Sequence, residues 1–342
     1  MADSIDKRTF DRLTARDDDF AREYRQRLTA HRGMATWGER LVPLAEFRRA
    51  AAASGRRGTE AERTRALDDY LLPRPDATPV EGPFSRVAVF GGVYNNHHAL
   101  AALLEDATRR GAEAIFCLGD LGGFGPHPEK VWPLLEEGAV RSIQGNYEES
   151  LASGREDCNC GYTDPRDNHF AEISYRYTEE GCSRRFKEYM GNLPRRRRVR
   201  VGSRELLFVH GSPRRINEFL FFSASPVPFL ETLLAQNGCD GILCTHTGLH
   251  WHRSLDGGDV VNVGVIGRPA NDGETNVHYA MLEERGDRLG VDLLALRYDY
   301  QALALEMRQE ELPEEFIETI LTGWWTTCLE VLPPRERAAS RF

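Results

Sequence analysis

Four short segments of this chain each place a polar side chain directly after an apolar stretch. The polar residues are Asp120, Asn146, His210 and His246, and the stretches before them are typical of buried β-strands. Because strand ends in α/β folds converge on one crevice, we expect the four side chains to meet in space. Two imidazoles, a carboxylate and an amide oxygen suit one divalent transition metal such as Fe, Mn, Zn or Co. The alternative is four unrelated polar caps at strand ends.

The elements that must position these residues follow residue 83. Arg86–Phe90 is predicted as a buried strand, His97–Arg110 as an amphipathic helix and Ala114–Leu118 as the next strand. This β-α-β alternation is typical of a layered α/β domain. Further strands are predicted at Val140–Ile143, Arg197–Val201, Glu205–Val209, Gly241–Cys244, Val260–Val263, Val277–Leu282 and Val291–Leu296. The crowding of the later strands favours a second, more antiparallel sheet, so we expect two sheets faced by helices.

The two ends of the chain are predicted to be helical. Residues 1–72 are highly charged, and Leu41, Leu44, Phe47 and Ala51 have the spacing of a helical docking face. A proline-rich linker follows, because four prolines between residues 73 and 83 break helices and strands alike. We therefore assign residues 1–82 to a helical extension with its linker. Residues 83–342 form the α/β domain, which includes closing helices at 300–342.

Five sequence blocks surround the four polar residues in a fixed order. They are Gly92-Val93-Tyr94-Asn95-Asn96, Gly119-Asp120, Gly145-Asn146-Tyr147-Glu148, His210-Gly211 and Thr245-His246-Thr247-Gly248. From about Phe84 to about Gly323 the chain resembles the calcineurin-like metallophosphoesterases, whose blocks read D-x-H-G-N, G-D, G-N-H-D/E, G-H and G-H-x-H. The resemblance implies a four-layer αββα sandwich and a metal-dependent hydrolase of phosphate esters or phosphodiesters.

The departures from the family pattern fall on one of its two metal sites. The resemblance implies one set of ligands at Asp120, Asn146, His210 and His246, and here all four are present. The other set would use Asp120 together with a further carboxylate and two imidazoles. Those three positions are Gly92, Tyr94 and Gly248. The sequence therefore predicts that one metal is lost and one is retained.

Other residues could handle a substrate anion or rebuild the lost site. Tyr147 stands at a family histidine, and with a pKa near about 10 it is a poor base but can donate a hydrogen bond. Tyr94 beside it could bind an oxyanion or simply pack. Arg214, followed by a second arginine, could contact a substrate anion or form an exposed basic pair. The histidine pairs at 97–98 and 250–252 could supply new ligands, or the latter could alternate outward on a strand.

A cysteine-containing segment follows the Asn146 block. Because Cys158 and Cys160 lie so close after Asn146, the segment to His169 is predicted to fold over the crevice as a lid. The C-x-C pair could bind a soft metal, form a redox pair, act as a nucleophile or pack a tight loop.

Composition narrows the class of protein and its partners. The net charge is −9, which argues against nucleic acid or an anionic membrane as a partner. The charged N-terminus has no apolar signal core, and seven cysteines are sparse for 342 residues. We therefore expect a cytoplasmic protein with a small anionic or phosphorylated substrate.

Three functions fit these observations. The first is a phosphoesterase that uses the single retained metal. The second is a mononuclear metalloenzyme of another kind, since Asp120, His210 and His246 resemble a two-histidine, one-carboxylate iron site. The third is an inactive binding protein that the metal stabilises.

Overall fold

A computed structural model describes residues 4–6, 40–43, 78–286 and 288–338. In the N-terminal region, β1 (Ser4–Asp6) pairs antiparallel with β2 (Arg40–Pro43). These two segments are strands, so the helix prediction is wrong there. The rest of the predicted helical extension, with Phe47 and Ala51 of its docking face, lies outside the described residues. Internal contacts divide the chain into two units, and the site below lies in the larger, which spans 78–224, 239–254 and 259–342.

The first large sheet has five strands in the order β13-β12-β4-β5-β6. Strands β4, β5 and β6, on one side of the sheet, pair in parallel. Strand β12 pairs antiparallel with both β4 and β13. The strands are β4 (Arg86–Phe90), β5 (Ala114–Cys117), β6 (Arg141–Ser142), β12 (Val277–Arg285) and β13 (Arg288–Leu296).

The second large sheet has six strands in the order β10-β11-β9-β8-β7-β3. The pairs β3–β7, β8–β9 and β9–β11 are parallel, and β7–β8 is antiparallel. The strands are β3 (Val80–Phe84), β7 (Arg196–Val201), β8 (Arg204–Val209), β9 (Gly241–Cys244), β10 (His250–Leu255) and β11 (Gly258–Val263).

Helices in the described part of the chain lie between these strands and after them. Side chains cap several of them; the Asn96 carboxamide, for example, accepts a hydrogen bond from Ala99 N at the start of α1. The helices are α1 (His97–Arg109), α2 (Val131–Glu137), α3 (Asn146–Ser153), α4 (Pro165–Gly181), α5 (Arg184–Asn192), α6 (Val227–Asn237), α7 (Tyr300–Gln309), α8 (Glu314–Thr322) and α9 (Pro334–Ala338). Within the described residues, no helix has both the length and the apolar character needed to cross a membrane.

Strand β4 shows how the layers are assembled. Val87 and Val89 point into the core between the two sheets, where they join Phe208 and Val261 of the other sheet. Alternate residues point the other way, so Phe90 joins the core under the helices. A strand that is buried on both faces reads as a continuous apolar run. The predicted αββα architecture is confirmed.

Two expectations about the sheets were wrong. The second sheet is less antiparallel than the first, because β12 and β13, which end the run of crowded strands, join the first sheet instead. The register places Leu282 opposite Val87 of β4, so sequence order did not reveal the partner. The second error concerns the linker: β3 begins at Val80, inside the predicted linker, and its Pro83 sits in an edge strand, where proline is tolerated.

Candidate metal centre

The four polar residues at the strand ends meet around the ring of His210. Its Nε2 atom lies 3.3 Å from Asp120 Oδ2, 3.0 Å from Asn146 Oδ1 and 3.1 Å from His246 Nδ1. All four side chains are buried. Asp120 follows β5, Asn146 follows β6 and begins α3, His210 follows β8, and His246 follows β9. Parallel pairing of β5 with β6 and of β8 with β9 is what brings these ends together.

Hydrogen bonding on the outside of this group fixes which atoms face inward. His210 Nδ1 is 2.6 Å from the carbonyl oxygen of Leu118, and since a carbonyl only accepts, Nδ1 carries the hydrogen. The Asn146 amide nitrogen donates to Cys158 O at 2.8 Å, which leaves its oxygen facing His210. In neutral His210 the Nε2 lone pair therefore faces a carboxylate, an amide oxygen and an imidazole nitrogen. A cation bound between these groups would satisfy all four acceptors at once.

The pKa shifts of the four-residue group agree with a cation bound at its centre. Burial alone would raise the pKa of Asp120, but the attraction of His210 outweighs it and holds that pKa below its usual range. Burial and the neighbouring His210 lower the pKa of His246 to about 3. Metal–ligand bonds of about 2.0–2.2 Å place neighbouring ligand atoms roughly 3.0–3.5 Å apart. The distances here lie in that range, so the donor set fits one divalent transition metal.

A buried glutamate ties two of these strand ends together. Glu148 accepts hydrogen bonds from the backbone N–H groups of Asp120 at 2.8 Å, Leu121 at 2.7 Å and Gly145 at 2.6 Å. It is fully buried, and burial together with the nearby Asp120 raises its pKa to about 7. The sequence reasoning gave Glu148 no role, although its place in the Gly145–Glu148 block was a signal.

Backbone geometry leaves room for the carboxylate of Asp120. A Cβ on Gly145 would lie 2.4 Å from Asp120 Oδ1, so no larger residue fits there. Asp120 and His246 themselves have positive φ angles of 59° and 68°. Asp and His are among the few residues that tolerate this left-handed region. Each ligand thus leaves its strand on a sharp turn that aims the side chain back over the sheet edge.

Two of the three positions that depart from the family pattern, Gly92 and Gly248, have no room for a larger side chain. A Cβ on Gly92 would lie 2.8 Å from Tyr94 Cζ. A Cβ on Gly248 would lie 2.7 Å from Trp325 Cη2 and 3.3 Å from Arg268 Nη2. The side chains of Tyr94, Trp325 and Arg268 therefore lie where further ligands would have to project.

Arg268 brings a permanent positive charge into this space. Its side chain is 94% buried by contact with aromatic rings, with Cζ 3.6 Å from the ring centroid of Trp325 and 5.0 Å from that of Phe124. In the part of the chain that the structure describes, Arg268 has no ion-pair partner, and its Nε makes no hydrogen bond. It also lines a small pocket with Leu303, Met307 and Phe316. Sequence reasoning missed Arg268; the signal was its position in the loop after β11.

The remaining predicted substrate contacts are engaged elsewhere. Tyr147 donates its backbone N–H to Asp120 Oδ1 at 3.2 Å, but its hydroxyl lies 2.8 Å from Ser174 Oγ on α4. The guanidinium of Arg214 is paired with Glu218, with Nε 3.1 Å from Oε2. These contacts do not direct the Tyr147 hydroxyl or the Arg214 guanidinium toward the four-residue group.

The cysteine segment touches the centre through Asn146. Besides the bond to Cys158 O, the Asn146 amide nitrogen lies 3.5 Å from Cys160 Sγ. Cys158 and Cys160 are joined by a disulfide, which closes a local loop and does not connect distant elements. Between the two cysteines, Asn159 O accepts a hydrogen bond from the side-chain amide of Asn217 at 3.0 Å. We call residues 158–160 the strap.

The other candidate histidines lie in separate groups. His97 and His98 meet Glu306 of α7. His250 stacks on His278 with ring centroids 3.8 Å apart, and His252 Nε2 is 2.7 Å from Asp259 Oδ1. The prediction that residues 250 and 252 alternate on a strand agrees with β10, where the intervening residue is the buried one. Among described histidines, only His210 and His246 join Asp120.

Comparison with known proteins places this geometry in a family. The chain is 23% identical over 256 residues to an uncharacterized protein of Methanocaldococcus jannaschii, an alignment that covers 70% of this chain and 98% of the relative. Two crystal structures share the fold. A hypothetical protein from Pyrococcus horikoshii has a TM-score of 0.60, 24% identity and coverage of 72% of this chain and all of that chain. A metallophosphoesterase from Sphaerobacter thermophilus has a TM-score of 0.55, 23% identity and coverage of 70% and 98%.

A protein-family model also matches the sequence. The model for the calcineurin-like phosphoesterase superfamily domain matches residues 86–287, which is more than half of the chain. The match contains Asp120, Asn146, His210 and His246. Such a family implies divalent metal ions and phosphoester hydrolysis in general terms. The chain belongs to the calcineurin-like phosphoesterase superfamily.

Proposed function

We propose that this protein is a phosphoesterase that works with one divalent metal and one arginine where its relatives use two metals. The metal would be held by Asp120, Asn146, His210 and His246. Arg268 would supply the second positive charge. The observation that carries the proposal is the convergence of Asp120, Asn146 and His246 on His210 Nε2. Arg268 supports it, because its buried guanidinium lies 3.3 Å from a Cβ built on Gly248 and has no ion-pair partner among the described residues.

An ion at this point supplies Lewis acidity, which polarises a phosphoryl oxygen and makes a water molecule more acidic. The protein's own groups do the rest. Asp120 is the only carboxylate in the ligand set, so the loaded centre keeps a net positive charge that attracts an anion. Arg268 can donate up to two parallel hydrogen bonds to phosphoryl oxygens. Trp325 and Phe124 hold its guanidinium plane in place and keep water away from it, which strengthens its interaction with charge.

The aromatic support makes Arg268 a fixed donor and not a flexible one. Trp325 is fully buried, and its indole Nε1 donates to Pro269 O at 2.7 Å while its backbone N–H donates to Asn271 Oδ1 at 2.8 Å. These two bonds anchor the ring to the loop that carries Arg268. A donor that is held before the substrate arrives needs no reorganisation during the reaction.

The test compares variants of the two charged components. His210→Ala should lose one equivalent of metal and all hydrolysis, since it removes a direct ligand. Arg268→Met should keep that metal, and hydrolysis of bis(p-nitrophenyl) phosphate should fall by roughly 10²–10³-fold, the size of losing one oxyanion donor. Arg185→Met is the matched control, because Arg185 also stacks on a tryptophan, Trp132, but is exposed. Metal content is measured by elemental analysis of protein purified without oxygen.

Three outcomes would contradict the proposal. Unchanged metal content in His210→Ala would show that the metal site is elsewhere. Metal-loaded wild-type protein without hydrolysis of monoesters or diesters would favour the inactive binding protein. Iron content with oxygen uptake in place of hydrolysis would favour the redox enzyme. Full activity in Arg268→Met would remove only the arginine from the proposal.

A further inference from the structure

A second cluster of potential metal ligands lies between α1, the turn before α2, and α7. Glu306 of α7 is at its centre. Its Oε2 atom is 3.4 Å from His97 Nε2 and 3.7 Å from His127 Nε2, and its Oε1 atom is 3.3 Å from His98 Nε2. Three imidazoles from two separate segments therefore surround one carboxylate.

Several of these atoms are buried without a hydrogen bond. His98 Nε2 and Glu306 Oε2 are both inaccessible to water and make none, and the same holds for His97 Nδ1. Leaving buried polar atoms unsatisfied costs free energy that a bound cation would recover. The carboxylate and ring atoms face one another at distances that do not form good hydrogen bonds, but that suit ligands of a shared ion.

The surroundings hold the cluster in shape. The backbone N–H of His127 donates to the hydroxyl of Tyr177 at 3.3 Å, and that hydroxyl donates to Glu310 Oε2 at 2.8 Å. Glu310 Oε1 in turn lies 3.8 Å from His127 Nδ1. The rings of His97 and His98 pack with centroids 4.2 Å apart. Helix α4, through Tyr177, thus holds His127 beside the cluster.

We propose that His97, His98 and Glu306 bind a divalent transition metal of the zinc type, with His127 next to Glu306 but outside the ligand set. In a tetrahedral site with bonds near about 2.1 Å, ligand atoms lie about 3.4 Å apart. The Glu306 distances to His97 and His98, 3.4 and 3.3 Å, match that value. Neutral imidazoles with one carboxylate are the donor set of such ions. The site is distinct from the Asp120 group and does not rest on the proposed function.

Lys130 is the natural competitor for this ion. Its ammonium lies 3.2 Å from Glu306 Oε1, while Oε2 faces His97 and His127. Because Lys130 is half exposed on a flexible stem, it can turn to solvent when an ion binds. Replacing it should therefore strengthen metal binding, whereas a structural role for the ion pair would predict only a loss of stability.

The bound ion would join the start of α1 to α7. Helix α7 also contributes Leu303 and Met307 to the pocket that Arg268 lines. The site would thus fix the helix that forms one wall of that pocket. Its effect is on the position and stability of α7, and not on the reacting atoms.

The test counts Zn²⁺ ions per chain by equilibrium dialysis and elemental analysis. Wild type should bind two, and His98→Gln/Glu306→Gln should bind one. His210→Ala/His246→Ala, which lacks the active-centre ligands, should keep one. Lys130→Met should bind two, with the second up to about 5-fold tighter, the size of one surface charge interaction. His252→Gln, which alters another histidine–carboxylate pair, is the control and should bind two.

Two readouts decide the result. Thermal unfolding should shift upward with Zn²⁺ in His210→Ala/His246→Ala and not when His98→Gln/Glu306→Gln is added to it. The proposal is overturned if His98→Gln/Glu306→Gln binds as many ions as wild type with the same affinity. A wild-type count of one that is lost with His210 and His246 would also overturn it. If the His210 variant does not fold, the count in the His98 variant alone decides.

Discussion

Arg268 differs from the metal that it would replace in ways that matter for chemistry. A guanidinium donates hydrogen bonds in a plane and stays charged at any ordinary pH, but it cannot bind and acidify a water molecule. Its burial against Trp325 and Phe124 would therefore help to bind and stabilise phosphoryl charge. It gives no second source of hydroxide. The single metal alone would have to supply the nucleophile.

Histidine packing gives a pH dependence that is independent of the metal. Burial and the stacked His250 lower the pKa of His278 to about 4 in the folded protein, against about 6.5 in an unfolded chain. The unfolded chain therefore takes up its proton first as the pH falls. This pair contributes stability above pH 6.5 that is lost between about pH 6.5 and pH 4.

We expect His278→Phe, which keeps a stacked ring but does not titrate, to lose less stability on acidification than wild type. Urea unfolding at pH 7, 5.5 and 4.5 measures the difference. His169→Phe, at an exposed histidine, serves as the control and should follow wild type. Parallel loss of stability in wild type and His278→Phe would show that this pair does not drive the acid sensitivity.

Residue types at strand ends were enough to predict that these four side chains meet. Asp120, Asn146, His210 and His246 each follow an apolar run, and the general rule that strand ends converge did the rest. Glu148 and Arg268 could not be assigned in this way, because their roles depend on which backbone groups and rings the fold brings beside them. A sequence shows a charge but not its burial.

At the scale of elements, the strap is the segment most closely joined to the centre. It contacts the Asn146 carboxamide with both a carbonyl oxygen and a sulfur. The carbonyl bond decides which way the carboxamide points, and hence whether its oxygen or its nitrogen faces His210. A backbone segment thereby controls a metal ligand from outside.

Opening the strap should loosen the metal without removing a ligand. In Cys158→Ser/Cys160→Ser we expect release to a chelator to be roughly 10–100-fold faster, the effect of losing support behind a ligand. Cys239→Ser changes a free thiol elsewhere and should match wild type. Stopped-flow release into a chromogenic chelator measures the rates. Equal rates in all three proteins would show that the strap only packs.

The sequence predicted individual strands and helices better than it predicted which strands pair within each sheet. Most strands and the helices at 97–109 and 300–309 were found with errors of a few residues at their ends, because their apolar periodicity is local. The assignment of β12 and β13 failed, since pairing with β4 joins residues almost 200 positions apart. No local pattern carries that information.

At the scale of the whole molecule, the candidate metal centre draws its residues from one part of the chain. All of its residues, and every strand of the two large sheets, lie at or after residue 80. We expect a chain that begins at Thr78 to fold, to bind the active-centre metal and to keep the hydrolytic rate of the full protein. Circular dichroism, metal analysis and diester hydrolysis test this. Failure to fold would show that residues 1–77 complete the core.

The bonds of Glu148 also bear on how long a metal stays bound. One carboxylate holds three N–H groups on the turns that carry Asp120 and Asn146. Opening either turn would break at least one of these bonds, so the two turns would resist the release of a bound ion. Release of the ion would require these bonds to break, whereas binding would use turns that are already formed. The lifetime of the complex would exceed what a single-carboxylate ligand set implies, and metal exchange would be slower than catalysis.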